Sequence, residues 1–265
     1  MAAEVIAAAW PEDSDVTLLT IGSDGGQLAD GVHAAEAVLA PRQVERRQIS
    51  SEDVLEEILA EARLGYGVVA VGAADAPLPG GVLSPVVDDL LARAEVPTVV
   101  VRRGRDPEGP LPAAFGRALV GVAGSASSRA AQEVAFRMSR QLGTQVSAVH
   151  VVTRTPGDQG RRARSGAGAG RDVLTGAASH GRDLGVDVRT ISRESALAGE
   201  AIVETAETEH SELVVLGATA RTMEGRPFLG HTVEYVLENA ACTVVVVVLP
   251  NPAPATTGPD RALEG

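Results

Sequence analysis

The side chains that could carry out chemistry are few, and none of them falls into a catalytic pattern. No GxSxG nucleophile elbow occurs. Lysine is absent and all 23 basic residues are arginine, which excludes a P-loop lysine, Schiff-base chemistry and a lysine general base. The histidines show neither HExxH nor any other paired spacing, so the sequence predicts no metal site. They lie at positions 33, 150, 180, 210 and 231.

Three other candidates have simpler structural explanations. Cys242, the single cysteine, adjoins an apolar segment and is predicted to be an inert small side chain. His150 lies in a predicted strand, where packing or hydrogen bonding is expected. The Gly/Ala/Arg segment at 157–171 contains GxGxG spacing, but it lacks the third glycine of a dinucleotide loop. We therefore predict a flexible loop there.

Composition and charge restrict the class of protein. Of the 265 residues, 45% are hydrophobic but only 2% aromatic, which predicts a globular core of Val, Ala, Leu and Ile. The net charge of −12 disfavours binding to nucleic acid or to an anionic lipid surface. No apolar run approaches a membrane span, and the N-terminal MAAEVIAAAW lacks the basic region of a signal peptide. With one cysteine, a reducing, cytoplasmic location is expected.

The second half of the chain alternates apolar strands with amphipathic helices. Such alternation predicts a parallel, doubly wound sheet of five strands covered by helices on both faces. The predicted strands are 118–124, 145–152, 187–192, 212–217 and 243–249, and the predicted helices are 127–142, about 172–184, 196–209 and 232–240. A loop is expected between the fourth strand and the last helix.

The first half repeats this pattern from its first helix onward. Gly72 and Gly217 lie 145 positions apart, as do Thr98 and Thr243, so the chain contains a duplicated domain. The predicted strands are 16–21, 44–49, 68–72 and 98–102, with helices in MAAEVIAAAW, 30–40 and 51–64. No strand precedes the first helix. Because strand 1 is central in such sheets, its absence predicts a gap between strands 2 and 4, and we expect the chain to start inside a longer ancestral domain.

The duplicated pattern, with VGVAGS, VVLGATAR and a Gly-led last helix before VVVV, resembles the universal stress protein family. The resemblance implies two adenine nucleotide alpha hydrolase-like domains. We expect domains at 1–104 and 117–250, a linker at 105–116 and a disordered tail at 251–265. Since family members join through their last strands, it also implies that PTVVVR and TVVVVV pair to form an internal pseudo-dimer. A homodimer is a further expected form of assembly.

The same resemblance implies a site for ATP or another adenine nucleotide. Nucleotide-binding members carry Gly-x2-Gly-x9-Gly-Ser/Thr between strand 4 and helix 4. The corresponding residues here are Gly217, Thr219, Ala220, Gly230, His231 and Thr232. Glycines let the backbone approach phosphates, and a helix N-terminus offers free N–H donors.

The sequence departs from this motif at three positions. Ala220 replaces the second glycine, His231 replaces Ser/Thr, and Ala123 stands where the family usually carries Asp. Val151 or Val152 remains available to pack on an adenine ring. Protonation of His231 at the helix N-terminus is a hypothesis for coupling phosphate binding to pH. The alternative is that Gly217 ends its strand and Gly230–Thr232 only caps the helix.

The first repeat departs further from the motif. Pro85 stands where the second repeat has Gly230, with Ser84 as an expected helix cap, and Asp88 and Asp89 follow in the first turn. Proline removes a donor and the carboxylates oppose an anion. One nucleotide per chain would therefore occupy the second repeat.

Three functional hypotheses follow. The first is a non-enzymatic tandem module with a stress-response or regulatory role and an adenine-nucleotide site. The second is a cytosolic regulatory or assembly domain of a cation/proton antiporter without nucleotide binding, because GRPFLGHTVEYVLENAACTVVVV resembles such C-terminal tails; its partner would be a membrane transporter. The third is a nucleotide hydrolase, for which the sequence supplies neither base nor metal ligand.

Overall fold

The computed structural model describes residues 2–22, 25–73, 82–104, 115–153, 161–223 and 226–251. Its helices are α1 (Ala2–Ala9), α2 (Gly25–Leu39), α3 (Val54–Ala62), α4 (Pro85–Arg93), α5 (Ala126–Leu142), α6 (Arg161–Asp183), α7 (Ala198–Thr208) and α8 (His231–Asn239). Its strands are β1 (Val16–Ile21), β2 (Val44–Ile49), β3 (Val69–Gly72), β4 (Thr98–Arg102), β5 (Arg117–Gly121), β6 (Gln145–Thr153), β7 (Val188–Ser195), β8 (Leu213–Thr219), β9 (Arg221–Met223), β10 (Arg226–Phe228) and β11 (Thr243–Leu249).

One sheet runs through both halves of the molecule. Its seven strands have the order β3-β4-β11-β8-β5-β6-β7. All neighbours are parallel except β4 and β11. The five strands from β11 to β7 form the predicted parallel, doubly wound sheet. The α/β prediction is therefore confirmed.

The two repeats meet through their last strands. β4 lies antiparallel to β11, in a register that runs from the Thr98–Val248 pair to the Arg102–Val244 pair. Val99, Val100 and Val101 are fully buried at this junction. A strand of valines covered on both faces forms no stable edge, because its unpaired backbone groups and apolar side chains would both contact water. The predicted pairing of PTVVVR with TVVVVV is confirmed.

The remaining strands of the first repeat form a sheet of their own. β1 pairs only with β2, in parallel, and neither is joined to β3 among the described residues. The gap predicted from the missing first strand is therefore present between β1 and β3. Every residue of β1 is only half-buried, although VTLLTI is largely apolar.

The core consists of one apolar layer on each face of the large sheet. On one face α1, α5 and α6 pack around Val5, Ala135 and Ala177. On the other face α4, α7 and α8 pack around residues such as Val87 and Val236. Because each layer contains helices from both repeats, the core is continuous across the β4–β11 junction.

Three sequence predictions need correction. The segment 157–171 is not wholly a loop, because α6 begins at Arg161. Helix formation is favoured there by the arginines and alanines, and Gly170 lets the helix lie close to His150, where a Cβ atom would be 2.8 Å from the ring. Helix α3 begins at Val54 rather than at position 51, because Asp53 is its N-cap and the Asp53 carboxylate accepts a hydrogen bond from the Glu56 N–H at 3.1 Å. The expected loop after β8 contains the antiparallel β9–β10 hairpin.

The linker at 105–116 and the tail at 251–265 fall largely outside the described residues. Among the helices of the described chain, none combines the length and the hydropathy required to span a bilayer.

Candidate nucleotide site

The candidate residues of the second repeat gather at one edge of the sheet. Parallel strands β5, β6 and β8 end at the same edge, and the chain order reverses between β5 and β8. In open α/β sheets ligands bind in the crevice formed at such a switch point. Ala123 follows β5, Val151 lies near the end of β6, and Thr219 ends β8. The fold therefore places these three residues on the edge where the family's site is expected.

Helix α8 begins at this edge with a glycine of positive φ. Gly230 has φ +102°, and a Cβ atom added to it would meet no atom within 4 Å. It is the N-cap of α8, and no side chain at that position bonds the helix. His231 is exposed and Thr232 half-buried in the first turn. The backbone here is open to an approaching group, in a conformation that glycine adopts without steric cost.

The ring of His231 is held by an aromatic contact. It packs edge-on against Phe228, with ring centroids 4.9 Å apart and an interplanar angle of 70°. Phe228 belongs to β10, so the hairpin that follows β8 positions the histidine at the start of α8.

Sequence reasoning missed Glu234, which lies in the first turn of α8. Its Oε1 accepts a hydrogen bond from the Leu229 N–H at 3.3 Å. A carboxylate near a helix N-terminus is stabilised by the same N–H groups and dipole that would favour a phosphate. The available signal was the acidic residue four positions after Gly230, which is typical of a helix start. Glu234 therefore competes electrostatically with any anion at this point.

Gly217 has a packing role that its motif position did not reveal. It lies inside β8, two residues before the strand ends, so it does not terminate the strand as the alternative interpretation assumed. A Cβ atom at Gly217 would be 2.0 Å from the Ser127 carbonyl oxygen of α5. At the equivalent Gly72 a Cβ atom would meet nothing within 4 Å. The glycine thus permits close contact between α5 and β8.

Serine hydroxyl groups at the start of α5 accept hydrogen bonds from backbone N–H groups that follow β5. The exposed Ala123 donates its N–H to Ser128 Oγ at 3.0 Å. Ser125 caps α5 by accepting from the Ser128 N–H at 3.1 Å. His150 hydrogen-bonds the Val122 carbonyl oxygen through Nδ1 at 2.7 Å, as its position in a strand predicted.

The two candidate adenine-packing valines face opposite layers. Val152 lies under α6, because a Cβ atom at Gly170 would be 3.2 Å from its Cγ2 atom. Val151 packs against the apolar layer that includes α7 and α8. Only Val151 is therefore on the same face as the N-terminus of α8.

Comparison with known sequences decides the family. The sequence model of the universal stress protein family matches residues 114–248, slightly more than half of the chain. The chain belongs to the universal stress protein family.

Individual relatives agree with this membership. A universal stress protein of Methanocaldococcus jannaschii is 37% identical over 81 residues, covering 31% of this chain and 47% of the relative. The chain thus spans about half the length of that curated relative. The solved structure of a universal stress protein from Archaeoglobus fulgidus superposes with a TM-score of 0.60 at 19% identity, covering 92% of each chain. A Pseudomonas aeruginosa protein of unknown function gives a TM-score of 0.62 at 20% identity, covering 93% of this chain and 86% of its own. At such identities the structures establish the shared fold.

Within this universal stress protein, Ala220 changes the loop that carries the motif. Its side chain is only 5% exposed and packs in the apolar layer that contains Leu229 and Val233. The methyl group at this motif position is therefore part of the core, in the same apolar layer as Leu229, the residue before Gly230. This preference for core packing explains how the loop tolerates a non-glycine residue.

In the first repeat of this universal stress protein, the helix equivalent to α8 is α4, and its N-terminus is already capped by a side chain. Ser84 caps α4 by accepting from the Val87 N–H at 3.4 Å, and Pro85 is the first helical residue. Both features match the sequence prediction. Asp88 adds a carboxylate to the first turn. The residues between β3 and α4 at positions 74–81 lie outside the described part of the chain.

Other reactive groups have structural explanations. Burial raises the pKa of the Cys242 thiol to about 11, so the thiol is protonated at neutral pH. Across the described ranges, no three His, Cys, Asp or Glu side chains are grouped so that they could hold a metal ion.

Proposed function

We propose that this chain is a non-enzymatic tandem universal stress protein module with a stress-response or regulatory role, and that its second repeat binds one adenine nucleotide. ATP is the reference ligand. The phosphates would approach Gly230, His231 and Thr232, while Val151 packs against the base and Thr219 lines the loop. Gly217 would act indirectly, because its lack of a side chain lets α5 pack closely against β8 beneath the site. Ala123 would border the site at the end of β5.

The observation that carries the proposal is the conformation of Gly230. A φ of +102° is costly for any residue with a side chain, and the space around the Cα atom of Gly230 is open. Glycine adopts this φ without steric cost and leaves the backbone at the start of α8 open to a phosphate group. The spacing from Gly217 to Gly230 also equals that of the nucleotide-binding family motif.

Binding can be tested by thermal-shift titration with ATP, AMP and cyclic AMP. Saturable stabilisation of the wild-type protein is expected, and Gly230→Val should abolish it because the side chain projects toward the phosphates. Gly65→Val is the matched control, since Gly65 also has a positive φ of +103° and open surroundings but lies in the first repeat. Both variants carry a similar backbone penalty, and only Gly230→Val should lose the ligand-dependent shift. Equal shifts in both variants would refute this site.

A second candidate function is favoured by Glu234. Its carboxylate at the N-terminus of α8 weakens the case for an anion, which agrees with a regulatory or assembly domain of a cation/proton antiporter that binds no nucleotide. Absence of a shift with all three nucleotides would support this function. Phosphate release at high protein concentration separately tests hydrolysis, and its absence would eliminate the third hypothesis.

A further inference from the structure

The gap between β1 and β3 is an open, largely apolar slot. On the side of α1 and α2 it holds a cavity of about 350 Å³, and on the side of α3 one of about 310 Å³. Both cavities are lined by residues of β1 and of the segment leading into β3. The shared lining residues are Thr17, Leu18, Tyr66, Val68 and Ala70. Because the two cavities share these lining residues, we describe them as the two sides of one slot between β1 and β3.

The two walls of the slot are strand edges. β1 is paired on one side by β2 and β3 on one side by β4, and no described strand lies on the other side of either. The N–H groups of Val69 and Ala73 bond toward β4. Successive residues of a parallel strand direct their backbone groups to opposite sides, so those of Ala70 and Gly72 face the slot. Unsatisfied edges of this kind accept an added strand.

The second repeat shows what fits between equivalent walls. There β5 lies between β6 and β8 and is parallel to both. β8 is the counterpart of β3, because Gly217 and Gly72 occupy equivalent positions. β5 is short and apolar, and Ala118, Leu119 and Val120 are at most 2% exposed. A strand with this chemistry would bury the half-exposed apolar side chains of β1.

From this geometry we propose that the slot binds an extended apolar peptide segment of about six residues. The segment inserts parallel to β1 and β3 and adds the central strand of the first repeat. Main-chain hydrogen bonds to both edges provide the affinity, and small or β-branched side chains facing the two cavities provide the selectivity. This proposal is independent of nucleotide binding in the second repeat.

The probe is a synthetic peptide with the sequence of residues 116–123, GRALVGVA, and the reporter is Trp10. Trp10 is the only tryptophan of the chain and lines the cavity beside α1. Saturable change of its fluorescence on titration with the peptide is expected. A peptide with proline in place of the residues equivalent to Leu119 and Gly121 cannot donate those hydrogen bonds and should cause no saturable change.

Two protein variants locate the binding. Leu18→Asn places an amide in the slot wall and should weaken peptide binding roughly tenfold. Leu64→Asn is the control, because Leu64 is 64% exposed and lines neither cavity. Loss of affinity in both variants to the same extent would overturn the assignment to the slot.

A tethered form provides an independent measurement. Residues 116–130 fused ahead of Ala2 in place of Met1 would supply strand, connection and first helical turn. The fused chain should show the fluorescence of the peptide-saturated protein, should not bind added peptide, and should protect the Ala70 amide from hydrogen exchange. No saturable Trp10 response of the unfused protein up to millimolar peptide would refute the proposal, whatever the tethered chain does. If the protein dimerised without peptide and dimerisation caused the same change in Trp10 fluorescence, the slot would be assigned to a second copy of the chain. That outcome would also refute the proposal.

Discussion

Val100 of β4 faces Val246 of β11 in the antiparallel ladder, and the neighbouring pair, Val101 and Val245, is its symmetry equivalent. Val101 lies 145 positions before Val246, and Val100 lies 145 positions before Val245, which is the offset of the internal repeat. A two-fold axis between these pairs therefore exchanges the repeats locally. Such self-complementary pairing is how identical domains form closed dimers, and here it joins two copies within one chain.

Truncating this junction should destabilise the whole protein. Val246→Ala removes two methyl groups from a side chain with no exposed surface, and we expect a loss of about 1.5–3 kcal/mol in the free energy of unfolding. Urea denaturation measures it. Val86→Ala on α4 is the control, because Val86 is 38% exposed and should change stability by less than about 0.5 kcal/mol. Equal losses of unfolding free energy in the two variants would show that burial at the β4–β11 junction adds no stability beyond that of an exposed valine.

Equivalent glycines of the two repeats should respond differently to alanine. Gly217→Ala places a methyl group 2.0 Å from the Ser127 carbonyl oxygen and should cost about 1–3 kcal/mol, because α5 must shift on the sheet. Gly72→Ala has open space and should be tolerated within about 0.5 kcal/mol. Chemical denaturation without nucleotide separates this packing role from ligand binding. Equal stability of the two variants would contradict it.

Removing the charge of Glu234 should improve nucleotide binding. Glu234→Gln keeps an oxygen that can accept from the Leu229 N–H but removes the negative charge at the N-terminus of α8. A helix-terminus charge contributes about 0.3–1 kcal/mol, so ATP affinity should rise roughly two- to fivefold in calorimetric titration. Glu238→Gln, at an exposed position in the last turn, should leave affinity unchanged. The same gain in both variants would indicate a general effect of net charge.

Acid should remove the contribution of Glu61, which joins the two small strands to the rest of the first repeat. Hydrogen bonds from Arg47 at 2.6 Å and from the Tyr66 hydroxyl at 2.6 Å hold the pKa of Glu61 below its ordinary value of 4.5. A lowered folded-state pKa stabilises the protein above pH 4.5, and the stabilisation is lost as pH falls through the folded-state pKa.

Wild type should therefore exceed Glu61→Gln in stability at pH 7, and this difference should shrink steadily below pH 4.5. Urea denaturation at pH 7, 5, 4 and 3 provides the comparison. Glu204→Gln, at an exposed position on α7, is the control and should show little difference at any of these values. A stability difference for Glu61→Gln that stayed constant with pH would contradict the ionic role of the carboxylate.

Cys242 should react slowly in the folded protein. Since burial raises the pKa of its thiol to about 11, the thiolate is scarce at pH 7.5, and labelling by a chromogenic disulfide reagent should be roughly a hundredfold or more slower than in the unfolded chain. Absorbance kinetics with and without urea test this. Equal rates would show that the thiol is accessible and ionised in the native state.

The sequence by itself determined the strands of the large sheet, the duplication and the gap. Runs such as TVVVR and TVVVVVL admit few structures other than buried strands, and a constant offset of 145 positions can only arise from two similar units. The helix start at Ser84–Pro85 could equally be predicted, because a cap depends on neighbouring residues. The missing first strand was visible as a missing apolar run.

The tertiary structure alone decided which of these residues meet. That Gly217 contacts Ser127, that Val152 rather than Val151 lies under α6, and that α6 begins before the predicted residue all depend on packing between distant segments. The hydrogen bond that the Glu234 side chain accepts from the Leu229 N–H likewise depends on how the loop before α8 is folded. Local patterns reflect backbone preference and burial, whereas a site depends on distances between residues far apart in sequence, and those distances are set by the packed core.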